Sequence, residues 1–534
     1  MGALKAGATV SVLDPQYPPE RQKVLLEVAN PCFLICIQRA SDESGKLSDS
    51  VVEFIASNLK IKATVPALQL LADGSLKGGL VDGKDALEPQ AAQRHLDITD
   101  VLVGPDSNPT LSFTSGSEGR PKGVLGRHFS LTYYFPWMAQ RFGLSENDRF
   151  TMLSGIAHDP IQRDIFTPLF LGAKIVIPPA DAISHELLAE WMKEHKVTVT
   201  HLTPAMGQIL VGGATAQFPS LRNAFFVGDL LTKKDCRKLR DLAVNAMVIN
   251  LYGSTESQRA VSYFPVPSKA QDPHFLDTVP DIIPVGQGMK DVQLLVVDRE
   301  DRTKLCGVGE QGELFIRAGG LAEGYLEADE KTAELNKAKF LTNWFVDTTK
   351  WTKQYERLVA SGAQQPWMRA YKGPRDRLYR TGDLGRMRPD GSVECTGRVD
   401  SQVKIRGFRI ELGEIDTHLS QHPFIRENVT IVRRDKNEEQ TLVTYFVPET
   451  KRWFEHLDKQ EDSKTTGHEL QDESMTGMLR QFKSLSEDCK KFLATKLPKY
   501  AVPTIFIPLA RMPLSMSISL FQSRPTQPGA NSIS

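Results

Sequence analysis

Short apolar runs alternate with stretches of helical spacing over the first 260 residues of the chain. Residues 173–179 (AKIVIPP) read as a buried strand, and residues 184–197 (SHELLAEWMKEHKV) follow with helical spacing and Ser184 as the N-cap. Residues 197–204 (VTVTHLTP), 224–229 (AFFVGD) and 246–253 (AMVINLYG) are strands again, each running into a loop. Strand–helix–strand alternation predicts a parallel α/β sheet. Ligands of such sheets sit outside the carboxyl ends of the strands. The Thr/Ser/Gly loop that follows residues 111–114, Gly228 and the segment 250–256 are all placed at such ends, which predicts that they share one site.

The texture then changes. VQLLVVD and GELFIRAGG, between about 285 and 330, read as antiparallel strands joined by polar turns. Residues 343–378 are polar, aromatic and irregular, and are expected to be an insertion. A new unit opens near 397, residues 451–480 read as a charged, solvated insertion, and residues 511–534 lose all periodicity and read as a disordered tail. The expected organisation is a large core over 1–399, a smaller α+β unit over 400–510 and an aberrant end over 511–534.

Composition narrows the classes. The chain has 534 residues, 40% of them hydrophobic, enough for several buried cores. Acidic and basic residues balance at 65 each, which removes the electrostatic case for nucleic acid or an anionic membrane as partner. No apolar run reaches the ~18 residues of a membrane span, and the N-terminus lacks the charged-then-apolar pattern of a signal peptide. Cys32 and Cys36 have no second pair nearby, so the cysteines are expected to be free thiols in a reducing cytoplasm.

The most suggestive local chemistry lies in LSFTSGSEGRPKG (111–123). Glycines let a backbone approach a ligand closely, hydroxyls and backbone N–H groups donate, and Lys122 adds one positive charge, a set that suits a polyphosphate. A Walker A loop is excluded, because Pro121 precedes the lysine and Gly123 follows it where Ser or Thr is required. From this stretch alone a flexible surface turn stays open.

Further motifs stand in one order: NLYGSTE (250–256), GELFIRAGGLAEGYL (312–326), YRTGDL (379–384), GRVDSQVKIRGFRIELGEID (397–416) and LPKYAVP (497–503). With the 111–123 loop, this series resembles the adenylate-forming (AMP-binding) enzymes, and among them the amino-acid-activating modules of nonribosomal peptide synthetases. The Ser-Glu-Gly at 117–119 departs from the usual Thr and is similar to the aminoadipate reductases of fungal lysine biosynthesis. The resemblance implies a large domain of parallel sheets, helices and a small β region, with a smaller C-terminal lid. It implies ATP and Mg²⁺ as cofactors, a phosphopantetheine-bearing carrier and NADPH only in the full-length relative, and no nucleic-acid or membrane partner.

Residue by residue, the resemblance places Thr114, Ser115, Gly116, Ser117, Gly119 and Lys122 around the outer phosphates. Gly228, Asn250, Gly253 and Thr255 join the nucleotide site, Tyr252 stacks on adenine, Asp383 accepts from the ribose hydroxyls and Arg398 lies beside them. Glu256 holds the metal, and Glu256 with Lys122 is expected to be catalytic. Asp400 is the hinge. Lys404, Arg406 and Arg409 form a basic strand, either a plain surface face or a lid face that meets the nucleotide or a carrier cofactor.

In AHDPIQRDIF (157–166), Asp159 falls where the family binds the substrate ammonium, and Arg163, His201 and Arg259 fall at further pocket positions. Two arginines suit a dicarboxylic amino acid such as 2-aminoadipate, because a desolvated guanidinium needs a partner. The alternative is that Arg163 or Arg259 pairs with a protein acid such as Asp164 or Glu256. An acyl-CoA ligase is a competing class, and Asp159 with Arg163 speaks against it. A third reading is a nucleotide-binding remnant: the family's Asn-Gly-Lys-x-Asp is absent, no lysine follows Lys499, and neither a carrier motif nor a reductase loop is present. The chain is accordingly expected to be an internal piece of a larger enzyme, shortened at both ends, that binds ATP but forms adenylate slowly or not at all.

Overall fold

The computed structural model describes residues 2–88, 101–116, 120–154, 162–184, 187–327, 329–362, 365–400, 402–405, 407–434, 440–460 and 474–512. The chain divides into two compact units: Met1–Pro15, Gln22–Thr114 and Pro121–Arg409 form the first, and Gln16–Arg21, Ser115–Arg120 and Ile410–Ser534 the second. The boundary follows Arg409, within the second strand of the hairpin Gln402–Ile405 and Phe408–Glu411.

Among the described residues, the largest sheet of the first unit has seven strands. Lys174–Val176, Arg149–Thr151, Val199–Leu202, Asn223–Phe226 and Met247–Gly253 run parallel. Ala260–Val266 and Gln287–Gly288 add antiparallel strands at one edge. Val199–Leu202 and Asn223–Phe226 are buried at every position, as strands covered on both faces must be. One core cluster holds Phe150, Val199, Phe225 and Ile249, and a second holds Leu202, Ala224, Phe226 and Val248, so alternate residues of each strand face opposite cores.

A five-stranded antiparallel sheet carries Val292–Val297 beside Gln311–Ala318, as the sequence pattern predicts. Its longest strand, Arg377–Met387, also pairs with Val393–Arg398. The Thr/Ser/Gly loop differs from expectation. It joins Leu111–Thr114 to Lys122–Leu125 as a hairpin in a separate three-stranded antiparallel sheet, not at the end of a parallel strand. The third strand of that sheet is Gly324–Tyr325, which places Tyr325 opposite Val124.

Other expectations also shift. Ser184 ends a short helix, Ala180–Ser184, instead of capping the next, which begins at Leu188. Residues 343–378 contain the twelve-residue helix Thr349–Ala360. In the second unit, Ile425–Arg434 and Gln440–Pro448 pair antiparallel, with Ile505–Pro508 parallel to the latter. Ile415, Leu419, Phe446, Phe482, Leu485 and Leu493 are buried there. Trp453 and Phe454 are buried too, so the first turns of the stretch 451–480 are amphipathic helix and not a solvated insertion. Residues 461–473 and the tail from 513 lie outside the described residues. No described helix is long and apolar enough to cross a membrane.

Candidate active site

The strand Met247–Gly253 is followed directly by a single 3-10 turn, Thr255–Ser257. That turn buries Glu256 completely. A buried carboxylate is costly unless it is charge-paired and hydrogen-bonded, and Glu256 is both. The Tyr325 hydroxyl donates to Oε1 at 2.7 Å, and Arg409 Nη1 lies 2.9 Å from each carboxylate oxygen. Burial alone pushes this carboxyl up, but Arg409, the Tyr325 hydroxyl, a backbone N–H and Lys122 together outweigh it and bring the group down to about 2. Glu256 is therefore ionised at any physiological pH.

Lys122 stands directly across the hairpin from Thr114, and its Nζ lies 5.7 Å from the centre of the Tyr325 ring. Thr114 Oγ1 is buried without a hydrogen-bond partner. Such a hydroxyl is unusual in a finished core and suits an oxygen-rich ligand. Magnesium takes one or two protein carboxylates and completes its shell with phosphate oxygens and water. Among the described residues no cluster of three or more acidic, His or Cys side chains could hold an ion alone. Glu256 fits an ion that arrives with a polyphosphate, once Arg409 releases an oxygen.

A second group surrounds Tyr252. The pairing of Arg377–Met387 with Val393–Arg398 sets Asp383 opposite Arg398. Asp383 accepts from the Tyr252 hydroxyl at 2.5 Å and from Arg398 Nη1. Asp400 accepts from Arg398 Nε at 2.7 Å and from Nη2 at 3.0 Å, so one guanidinium bridges two carboxylates and is held protonated. Lys404 Nζ lies 5.9 Å above the Tyr252 ring. Lys404 and Arg409 sit on two strands of a hairpin instead of one basic strand, and Arg406 lies outside the described residues.

The hairpin tip is seated at the strand ends. Gly407 has φ +85°, and a Cβ there would meet Thr203 Cγ2 at 2.3 Å. A Cβ on Gly228, at φ +103°, would lie 3.4 Å from Gly407 Cα. Gly253 packs against the chain as it turns back, where a Cβ would be 2.5 Å from the Arg259 carbonyl oxygen. Asn250 donates to the carbonyls of Ile283 at 3.1 Å and Pro284 at 2.9 Å, which gives it a structural task. The Thr255 carbonyl accepts from the Gln258 backbone and side chain. Ser115 and Gly116 belong to the second compact unit, while Ser117, Gly119 and Asp159 lie outside the described residues.

Arg163 lies on a π-helical turn, Gln162–Phe166, with Nε 3.7 Å from Asp164 Oδ1. His201 Nδ1 lies 3.2 Å from the same oxygen, and its ring stacks on Phe225 with centroids 4.9 Å apart. Burial lowers the His201 pKa, and Asp164 opposes that shift without cancelling it. Arg259 is held differently, with its guanidinium carbon 4.6 Å from the ring centres of both Tyr133 and Tyr134.

Two further side chains of this region carry no assignment from the sequence. Tyr325 lies in the 312–326 segment, yet only its fold-made contact with Glu256 reveals it. Lys339 ends the helix Glu330–Lys339 and reads as an ordinary C-terminal basic residue; burial lowers its ammonium, with Asp400 and Glu256 opposing.

Residues 1–326 match the family model described as AMP-binding enzyme. The chain is 58% identical over 519 residues to the L-2-aminoadipate reductase large subunit of Penicillium chrysogenum, covering 96% of this chain and 36% of that protein. It is 53% identical over 517 residues to the L-2-aminoadipate reductase of Saccharomyces cerevisiae, with the same two coverages, 96% and 36%. It therefore spans just over a third of the length of these relatives. Among solved structures, the Vibrio cholerae adenylation domain AlmE in complex with glycyl-adenosine-5'-phosphate superposes with TM-score 0.68 at 20% identity, over 97% of this chain and 85% of that one. That likeness shows the fold.

Proposed function

The chain belongs to the family of AMP-binding enzymes, and from that premise we propose that it activates a carboxylate with ATP, forming an acyl-adenylate and releasing pyrophosphate. The single observation behind this reading is Glu256, a fully buried, ionised carboxylate at a strand end, close enough to Lys122 to feel its charge. In the reaction a substrate carboxylate oxygen bonds to the α-phosphorus as the bond to the bridging oxygen breaks, and pyrophosphate leaves with that electron pair. Lys122 and the Thr114 hydroxyl would hold the outer phosphates. Asp383, oriented by Tyr252 and Arg398, would accept from ribose hydroxyls, and the Tyr252 ring would stack on adenine. Glu256 would hold Mg²⁺, which supplies positive charge to the phosphate oxygens where negative charge accumulates.

The substrate we propose is 2-aminoadipate, activated at its side-chain carboxylate, with Asp159 on the ammonium. Two relatives are named for that compound, and this chain carries Arg163 and Arg259, for which a fatty acyl chain has no counterpart. Those relatives are named reductases and are longer than this chain. The adenylate would accordingly pass to a phosphopantetheine thiol and be reduced with NADPH by segments outside it, with Asp400 as the hinge between half-reactions. Six unpaired cysteines fit a reducing compartment, the cytoplasm.

The test is ATP–pyrophosphate exchange with 2-aminoadipate, glutamate, norleucine and a fatty acid, alongside direct ATP binding. Exchange highest with 2-aminoadipate is the expected result. Equal exchange with norleucine or the fatty acid refutes the substrate, and failure to bind ATP refutes the nucleotide site.

A further inference from the structure

We infer that Tyr133 and Tyr134 are positioning residues that hold Arg259, and not Arg163, as the receptor for the substrate's second carboxylate. This rests on the dicarboxylic substrate proposed above.

The two arginines differ in what already satisfies them. Nε of Arg163 is without a hydrogen bond, but Arg163 has an acid at 3.7 Å in Asp164. Among the described residues Arg259 has no carboxylate within ion-pair distance, and Glu256, its nearest acid in sequence, is paired with Arg409. The Arg259 guanidinium carbon lies 4.6 Å from the ring centre of Tyr133 and 4.6 Å from that of Tyr134. Aromatic faces stabilise a cation electrostatically but accept no strong hydrogen bonds. The two rings flank the guanidinium but carry no negative charge, so its positive charge still lacks an anionic acceptor among the described residues. Nη2 donates to the Tyr133 hydroxyl and Nη1 to the Ala260 carbonyl at 3.4 Å, both neutral oxygens, and Nε is buried without a partner. A carboxylate, as a charge-assisted acceptor, would outcompete such weak neutral partners.

The tyrosines come together because Tyr133 is the junction between the helices His128–Thr132 and Tyr134–Phe142. Neither ring is loose. Phe129 stacks on Tyr133 at 4.9 Å, and Tyr134 is buried in the core. Burial pushes the Tyr134 phenol up to about 12, so it remains neutral and supplies no counter-charge to Arg259. Gly320 makes the arrangement possible: a Cβ there would stand 2.9 Å from the Tyr133 hydroxyl and 3.3 Å from Arg259 Nη2. The result is a half-buried cation flanked by two fixed rings, with no anion beside it among the described residues.

The experiment measures calorimetric affinity of the whole 534-residue chain for 2-aminoadipate and for norleucine, which lacks the second carboxylate. The ratio of the two is the readout, because partial misfolding lowers both alike. Arg259→Ala should reduce the preference for 2-aminoadipate by ~100-fold. Arg259→Lys should restore part of it, and Tyr133→Phe, which keeps the ring and removes the hydroxyl, should reduce it by ~10-fold. Arg163→Ala removes the cation beside Asp164, leaving it with His201, and should weaken both ligands together, with the ratio kept within ~3-fold. Loss of the preference in Arg163→Ala with its retention in Arg259→Ala overturns the inference. So does a wild-type ratio in both Arg259→Lys and Tyr133→Phe. A wild-type chain that binds the two amino acids equally refutes the dicarboxylic reading itself, and the inference falls with it.

Discussion

Removing Arg409 should turn a stabilising carboxylate into a destabilising one, and the size of the change can be worked from Glu256. An ordinary glutamate titrates near 4.5, and this one at about 2. The gap corresponds to ~3 kcal/mol of folding free energy at neutral pH. Because the folded value lies below the unfolded one, that contribution is complete above about pH 5 and disappears as the pH falls towards 2. In Arg409→Ala the main opposing charge is gone and burial prevails, so the carboxyl is driven upwards. The variant should lose ~3–5 kcal/mol at pH 7, the usual consequence of leaving a buried charge unpaired. Its stability should then rise, not fall, between pH 7 and 5 as Glu256 takes up a proton. Glu256→Gln added to Arg409→Ala should recover most of the loss. Urea unfolding followed by tryptophan fluorescence is the assay, since five of the six tryptophans lie in the first compact unit. A loss under ~0.5 kcal/mol, or parallel pH dependence in wild type and variant, refutes the reasoning.

Three other substitutions test separate parts of the structure. Lys122→Ala should weaken ATP by ~10-fold or more and AMP little, because only the outer phosphates meet that charge; equal weakening in a binding titration would show the lysine is misplaced. Asp400→Asn should loosen Arg398 from Asp383 and raise the Kd for AMP several-fold, by roughly the worth of one charge-assisted hydrogen bond, while leaving amino-acid binding unchanged; an unaltered AMP titration counts against the ribose assignment. Burial raises the Asp416 carboxyl to about 6, so it costs stability at pH 7 and recovers as the pH falls through 6. Asp416→Asn should therefore stabilise the second unit by ~2 kcal/mol at pH 7, with the gain gone near pH 4, as urea melts read by far-UV circular dichroism would show.

Four of the five parallel strands were legible because each is a run of apolar residues ended by a glycine or polar loop; Arg149–Thr151, with one apolar residue, gave no such signal. Helix breaks were less so. The apolar spacing around Ser184 continues across two helices, and nothing local marks the interruption at Leu187, where φ is −93° and ψ 12°. The helix Thr349–Ala360 did leave a trace, since Trp351, Tyr355 and Leu358 recur at helical spacing, but charged neighbours and the lack of any fully buried position masked it. Trp453 and Phe454 were hidden the same way, two buried aromatics among charged residues. At the candidate site, residue types were readable and partnerships were not. Glu256 meets Tyr325 across 69 positions and Arg409 across 153, separations that only the assembled sheets close. The rings around Arg259 escaped for a related reason: Tyr133 and Tyr134 lie in an apolar, aromatic helix start that reads as ordinary core.

The seat of Gly407 against Thr203 offers a mechanical handle. Its backbone rests where the smallest possible side chain would already collide, at 2.3 Å, and Gly228 leaves room on the other side of the same contact. One added methyl at 407 is thus a wedge. It would prop the hairpin tip away from the strand ends without altering any group that meets phosphate, ribose or amino acid, and would carry Lys404 and Arg409 with it. How far the ligands restore the contact would then measure, in one substitution, how strongly their binding depends on that hairpin being closed.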